Sequence, residues 1–179
     1  LAERGTKSLI IAGQGEPLLH PKARELLDFV SSTTLKYMIF SNGEFLMDKF
    51  HDSFFKSCLA VRFSVDAATS AMHEKWHAAK NSNGRGTANF QRVVDNIQDL
   101  VNKKKARGLL YPHIGCQMIC SKLTEDDFED FAKLFKRIGV DYVVYKSLQG
   151  NPSNQNITIN SRDLHNSQKQ RQQQALKMS

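Results

Sequence analysis

The chain has 179 residues, 40% hydrophobic and 24% charged; this fits one globular domain and leaves neither an apolar run near the roughly 18 residues of a membrane span nor a secretory signal. Its three cysteines, Cys58, Cys116 and Cys120, are too few, and odd in number, for a disulfide framework, and they point to a reducing, cytoplasmic setting. The net charge of +7 admits a nucleic-acid partner, although an ordinary basic surface accounts for it.

In chain order, Ser8 to Ala12 is a short apolar run after polar residues, the pattern of a strand buried on both faces. Pro21 stands where a helix can begin, and Leu26, Leu27, Phe29 and Val30 supply its apolar stripe. Tyr37 to Phe40 is a second strand, ended by Ser41-Asn42-Gly43, and Leu46, Phe50 and Phe54 share one face of the next helix. Leu59 to Val65 is a third strand, ended by Asp66, which could also cap a helix. Residues 68–86 are less regular, with a loop at Asn81-Ser82-Asn83-Gly84.

A helix from about Ala88 is marked by Phe90, Val93, Val94, Ile97, Leu100 and Val101. The basic run Lys103-Lys104-Lys105 with Arg107 suits its C-terminus. His113 to Cys120 is a fourth strand, and Thr124-Glu125-Asp126-Asp127 resembles a capping box with Asp in place of Glu. Phe128, Phe131, Leu134, Phe135 and Ile138 form the next apolar face, closed by Gly139, and Asp141 to Tyr145 is a fifth strand. Residues 1–148 thus form a core. Residues 149–179, rich in Asn and Gln, read as a polar tail or linker.

Alternating strands and helices with short junctions mean an α/β fold with a parallel sheet and right-handed crossovers. It is an open doubly wound sheet or a TIM-type barrel, full or partial. In both, ligands gather at the C-terminal strand ends. The residues there are Gly13-Gln14-Gly15-Glu16-Pro17, Ser41-Asn42-Gly43, Ser64, Asp66, Ser121 and Lys146. Glycines let a ligand approach the backbone, Glu16 adds an acceptor, and Ser64 and Asp66 suit ribose hydroxyls. "GQGEP" is neither a P-loop nor G-x-G-x-x-G, because Leu18 takes the last glycine position. The glycines also fit a plain turn, and a domain binding a nucleotide or phosphate through Gly13 to Glu16 is the alternative from a different class.

Taken as a series, "AGQGEPLLHP", "FSNG", "VRFSVDA", "NFQRVVDNIQDL" and "RIGVDYVVYKSL" resemble the core of the radical S-adenosylmethionine (SAM) enzymes over about residues 7 to 148. The resemblance implies a partial (βα) TIM-type barrel lacking its first strand. It implies that Gly13, Gln14, Gly15 and Glu16 meet the methionyl ammonium of SAM, with Gln14 where a glycine is common. Asn42 lies in the turn after the family's third strand. Ser64 and Asp66 match positions that contact ribose or the methionyl group. His77, in "HEKWHAAK", stands where the family often has an arginine for the SAM carboxylate.

The family's Cys-x3-Cys-x2-Cys motif, whose thiolates hold a [4Fe-4S] cluster, is absent. Cys116 and Cys120 have the first spacing, but position 123 is Leu123, and both read as buried strand thiols. The chain opens at Leu1 rather than at a methionine; the implied cluster ligands lie upstream. No metal-ligand set is assigned: His73 and His77 are four apart but lack a third partner and read as a surface pair. The implied chemistry is reductive cleavage of SAM to a 5′-deoxyadenosyl radical that abstracts hydrogen from an unknown substrate. An electron donor such as a flavodoxin or ferredoxin would serve it, and the chain alone would be inactive.

Overall fold

The computed structural model describes residues 2–13, 15–45, 52–78 and 90–148, without the side chains of His77 and Ala78. Five strands, β1 (Ser8–Ile11), β2 (Lys36–Ser41), β3 (Cys58–Ser64), β4 (His113–Cys120) and β5 (Tyr142–Ser147), form one sheet. Every pairing is parallel and the spatial order is the chain order. That order decides between the two sheet types. A doubly wound sheet reverses direction at a switch point, whereas this sheet never does, so each crossover returns on the same side. The helices α1 (Ala23–Ser31), α2 (Asp52–Ser57), α4 (Phe90–Ala106) and α5 (Phe128–Ile138) all contribute to one apolar core. The architecture is a partial TIM-type barrel.

The strand pleat sorts side chains by face. Tyr37, Ile39, Val61, Phe63, Ile114, Cys116, Met118 and Cys120 turn to the helices and are buried. There they meet Leu27 and Val30 of α1, Val93 and Ile97 of α4, and Phe131 and Phe135 of α5. The remaining positions, including Phe40, Arg62, Ser64, Gln117 and Lys146, face the barrel interior. Gly139 closes α5 in the left-handed conformation at φ 89°.

Several expectations are corrected. Among the described residues β1 is the edge strand of the sheet, and it is not buried on both faces, with Ile10 70% exposed. On α1 only Leu27 and Val30 of the expected stripe are buried; Leu26 and Phe29 face outward. Helix α1 begins at Ala23, two residues after Pro21, and Pro17 instead opens a 3-10 turn, Pro17–Leu19.

Within 68–86 a helix, α3 (Ser70–Ala78), was not expected. Its apolar residues do not gather on one stripe, which leaves the helical period faint. His73 lies on it, buried against the Phe90 ring, so it is not half of a surface pair. The capping box is not formed: the Thr124 hydroxyl donates to the Ile119 carbonyl, and the Asp127 carboxylate accepts from the Ala68 amide. The basic run carries ion pairs, Lys103–Asp99, Lys104–Asp141 and Arg107–Asp52. Leu46, Phe50, the 81–86 loop and the 149–179 tail lie outside the described residues.

Candidate functional site

At the C-terminal strand ends lies an open cavity of about 560 Å³. Gly13, Gly15, Glu16, Asn42, Ser64 and Asp66 all line it, so the structure brings together most of the residues expected from sequence. Gln14 lies outside the described residues. His77 lies in α3, and its side chain is not described.

Glu16 organises the rim. Pro17 starts the 3-10 turn, and the Glu16 carboxylate caps it by accepting from the Leu18 amide at 3.0 Å. The same carboxylate accepts from the Ser41 hydroxyl at 2.9 Å and the Asn42 amide at 2.6 Å. One side chain therefore ties the loop after β1 to the loop after β2. Three of its roughly four acceptor positions are engaged. Asn42 Oδ1 in turn accepts from the Glu44 amide, and Gly43 (φ 81°) presents its carbonyl to Asn96 Nδ2 on α4 at 2.8 Å. A Cβ on Gly43 would also lie 3.0 Å from Val93 Cγ1, so glycine is required there by backbone and by packing.

Gly13 and Gly15 contrast with Gly43. Gly13 has no positive φ, and a Cβ at either would meet nothing within 4 Å among the described residues. No steric feature of the chain's own described residues calls for glycine at these two points, and both border the cavity.

Asp66 holds the other side of the rim. It is 3% exposed and adopts φ 61°, a left-handed conformation that costs a non-glycine residue on the order of 1 kcal/mol. The strain is offset by hydrogen bonds. Asp66 Oδ1 accepts from the Ile119 amide at 2.8 Å, and the Val65 and Asp66 amides both donate to the Gln117 carbonyl. Asp66 thus locks the end of β3 to β4; it does not cap α3, which begins at Ser70.

Sequence reading passed over Arg62 and Gln117, which line the same cavity. The available signal was period two: Arg62 and Ser64 are alternate polar residues in an otherwise apolar strand, as is Gln117 in β4. The guanidinium of Arg62 lies over the Phe40 ring, 4.2 Å from its centroid.

The thiols lie on the other face. Cys58, Cys116 and Cys120 are all buried in the helix-side core. Burial pushes the Cys116 thiol far above its ordinary value. Cys120 is pushed up to about 12 by burial and by the Asp66 charge. Among the described residues no group of three or more His, Cys, Asp or Glu is placed to hold a metal ion. No described helix is long and apolar enough to cross a membrane.

No protein-family model matches the chain, and no curated protein does. Solved structures do. A TYW1 structure with a lysine-pyruvate adduct bound superposes over 92% of this chain at TM-score 0.63 and 15% identity. A domain of pyruvate-formate lyase-activating enzyme from Bacteroides vulgatus matches with TM-score 0.62 and 11% identity, covering 90% of each chain. SuiB of Streptococcus suis, bound to S-adenosylmethionine, matches over 96% of this chain and 37% of its own, with TM-score 0.67 and 12% identity. These neighbours are radical SAM enzymes, the group the sequence motifs resemble. At such identities the likeness establishes the fold, and the chain spans about half the length of TYW1, 49%.

Proposed function

We propose that the chain is the SAM-binding part of a radical SAM enzyme core, with SAM held across the rim between the β1 and β3 ends. The pair Gly13 and Gly15 carries this reading. Backbone whose Cβ positions are clear of the described residues is room for something else, and it borders the cavity at the strand ends where this fold binds ligands.

In this arrangement the backbone at Gly13 and Gly15 receives the methionyl ammonium, and the Glu16 carboxylate adds negative charge beside it. Glu16 acts mainly by holding the two loops in place, since most of its acceptor positions already serve Leu18, Ser41 and Asn42. Ser64 faces the ribose, while the buried Asp66 fixes the strand end that presents it. His77 is proposed near the SAM carboxylate on sequence grounds alone. Bound there, SAM would supply the hydrogen-abstracting radical chemistry, with this chain's residues binding and orienting it. The described residues do not fit the cluster itself, because the three thiols face the helices. Its ligands and an electron donor such as a flavodoxin or ferredoxin belong to the proposal from outside these residues.

The test is calorimetric titration of the chain with SAM. Saturable binding is expected, with Gly15→Val lowering affinity at least about tenfold. The variant's melting temperature should not fall, because the Cβ position at Gly15 is clear of the described residues. Absence of SAM binding, or binding indifferent to Gly15→Val, would overturn the reading.

A further inference from the structure

The inward-facing residues are stacked in layers by strand register. Ser64 pairs with Gln117 across β3 and β4. One layer beneath, Phe40 of β2 pairs with Arg62 of β3, Arg62 with Gly115 of β4, and Gly115 with Tyr142 of β5. This lower layer places an arginine between two aromatic residues. Phe40 lies under the guanidinium. On the other side Gly115 has no side chain, and the Tyr142 ring fills that space so closely that a Cβ on Gly115 would run into it.

Arg62 is half-buried, makes no ion pair among the described residues, and its Nε is buried without a hydrogen-bond partner. A cation drawn from water without a counter-ion is costly. Glu16 and Asp66 line the same cavity, but neither forms an ion pair with Arg62. Burial pushes the Tyr142 hydroxyl's pKa up and the Arg62 charge pulls it down. The hydroxyl therefore remains a proton donor, close enough to feel the guanidinium.

We propose that Arg62, flanked by Phe40 and Tyr142, binds a carboxylate group of the substrate on the floor of the cavity. A guanidinium held against a ring keeps its in-plane N–H groups free for a planar, two-point partner, which is the geometry of a carboxylate. Depth separates this group from SAM. A cofactor spanning Gly13 to Ser64 lies in the upper layer, and Arg62 lies two residues, about 6–7 Å, further down β3. A substrate anchored there extends upward toward the rim. The inference rests on the SAM reading for which ligand lies above, but the carboxylate site stands on its own geometry.

The experiment follows the Arg62 Nε–H resonance by NMR during titration with acetate, acetamide and inorganic phosphate at matched ionic strength. Acetate is expected to shift it saturably and acetamide not at all, and Arg62→Met should abolish acetate binding without lowering the melting temperature. Phosphate binding tighter than acetate by about tenfold would overturn the carboxylate assignment. So would a destabilised Arg62→Met protein, which would mark Arg62 as a packing residue. A parallel titration with SAM and 5′-methylthioadenosine separates the two readings. If Arg62→Met weakens SAM but not 5′-methylthioadenosine, Arg62 serves the cofactor's own carboxylate and the substrate assignment falls. If the unaltered chain binds acetate but no SAM, the SAM reading alone fails.

Discussion

The two faces of the sheet are built from the same five strands and alternate residue by residue, yet they solve different problems. On the helix side, Val61, Phe63, Ile114, Cys116 and Met118 are sealed under α1, α4 and α5. On the inner side, Arg62, Ser64, Gln117 and Lys146 border a cavity. The first face is apolar to the point of enclosing its thiols. The second keeps two cations, an amide and a hydroxyl at the cavity. One face carries the fold's stability, and that frees the other to hold side chains that contribute little to it.

The largest test of this division is chemical. All three thiols are on the sealed face, so a thiol reagent should modify them at least about a thousandfold more slowly in the native chain than in urea. Fast labelling, or a stable [4Fe-4S] spectrum after reconstitution with iron and sulfide, would break it. Next in size, Phe63→Ala should cost about 3–5 kcal/mol in urea unfolding, while its neighbour Ser64→Ala should stay within about 0.5 kcal/mol. Equal costs would erase the distinction between faces.

Gly115→Ala probes a close-packed spot on the inner face. It should destabilise by about 1–3 kcal/mol through the Tyr142 ring, and most of that should be recovered in a Gly115→Ala, Tyr142→Ala double variant. The smallest effect lies at the N-terminal end of the sheet. Burial raises the Asp141 carboxyl's pKa, but the Ile114 amide and the Lys104 ammonium outweigh this and hold it below the usual range. A lowered folded-state value means stabilisation that is present above the ordinary aspartate pKa of about 3.9 and lost as pH falls through the lowered one. Asp141→Asn should flatten that acid limb by under about 1 kcal/mol, since the pair is partly exposed.

Periodicity made the strand–helix alternation legible, because Phe63, Val93 or Phe131 must be buried wherever the chain goes. It could not show that β1 is the edge strand among the described residues, since Ile10 is apolar whether or not a neighbour covers it. Nor could it show that Thr124 would bond backward to Ile119 instead of capping forward. At the site, the residues beside glycines were visible because loop chemistry is local. Arg62 showed only as a polar residue at period two, because its setting depends on Phe40, Gly115 and Tyr142 arriving in one layer from three other strands. Asp66 was noticed for its carboxylate, whereas its backbone conformation emerges only with the Ile119 and Gln117 bonds that hold it.

The three hydrogen bonds on Glu16 have a consequence for how fast and how tightly a ligand can be captured. Loops that must be ordered on binding subtract their conformational entropy from the affinity. Here the first two strand ends are already joined through Leu18, Ser41 and Asn42, and anchored to α4 through Gly43 and Asn96. A ligand bound at this rim would meet strand ends already joined by these bonds, and would spend less of its interaction energy on ordering them.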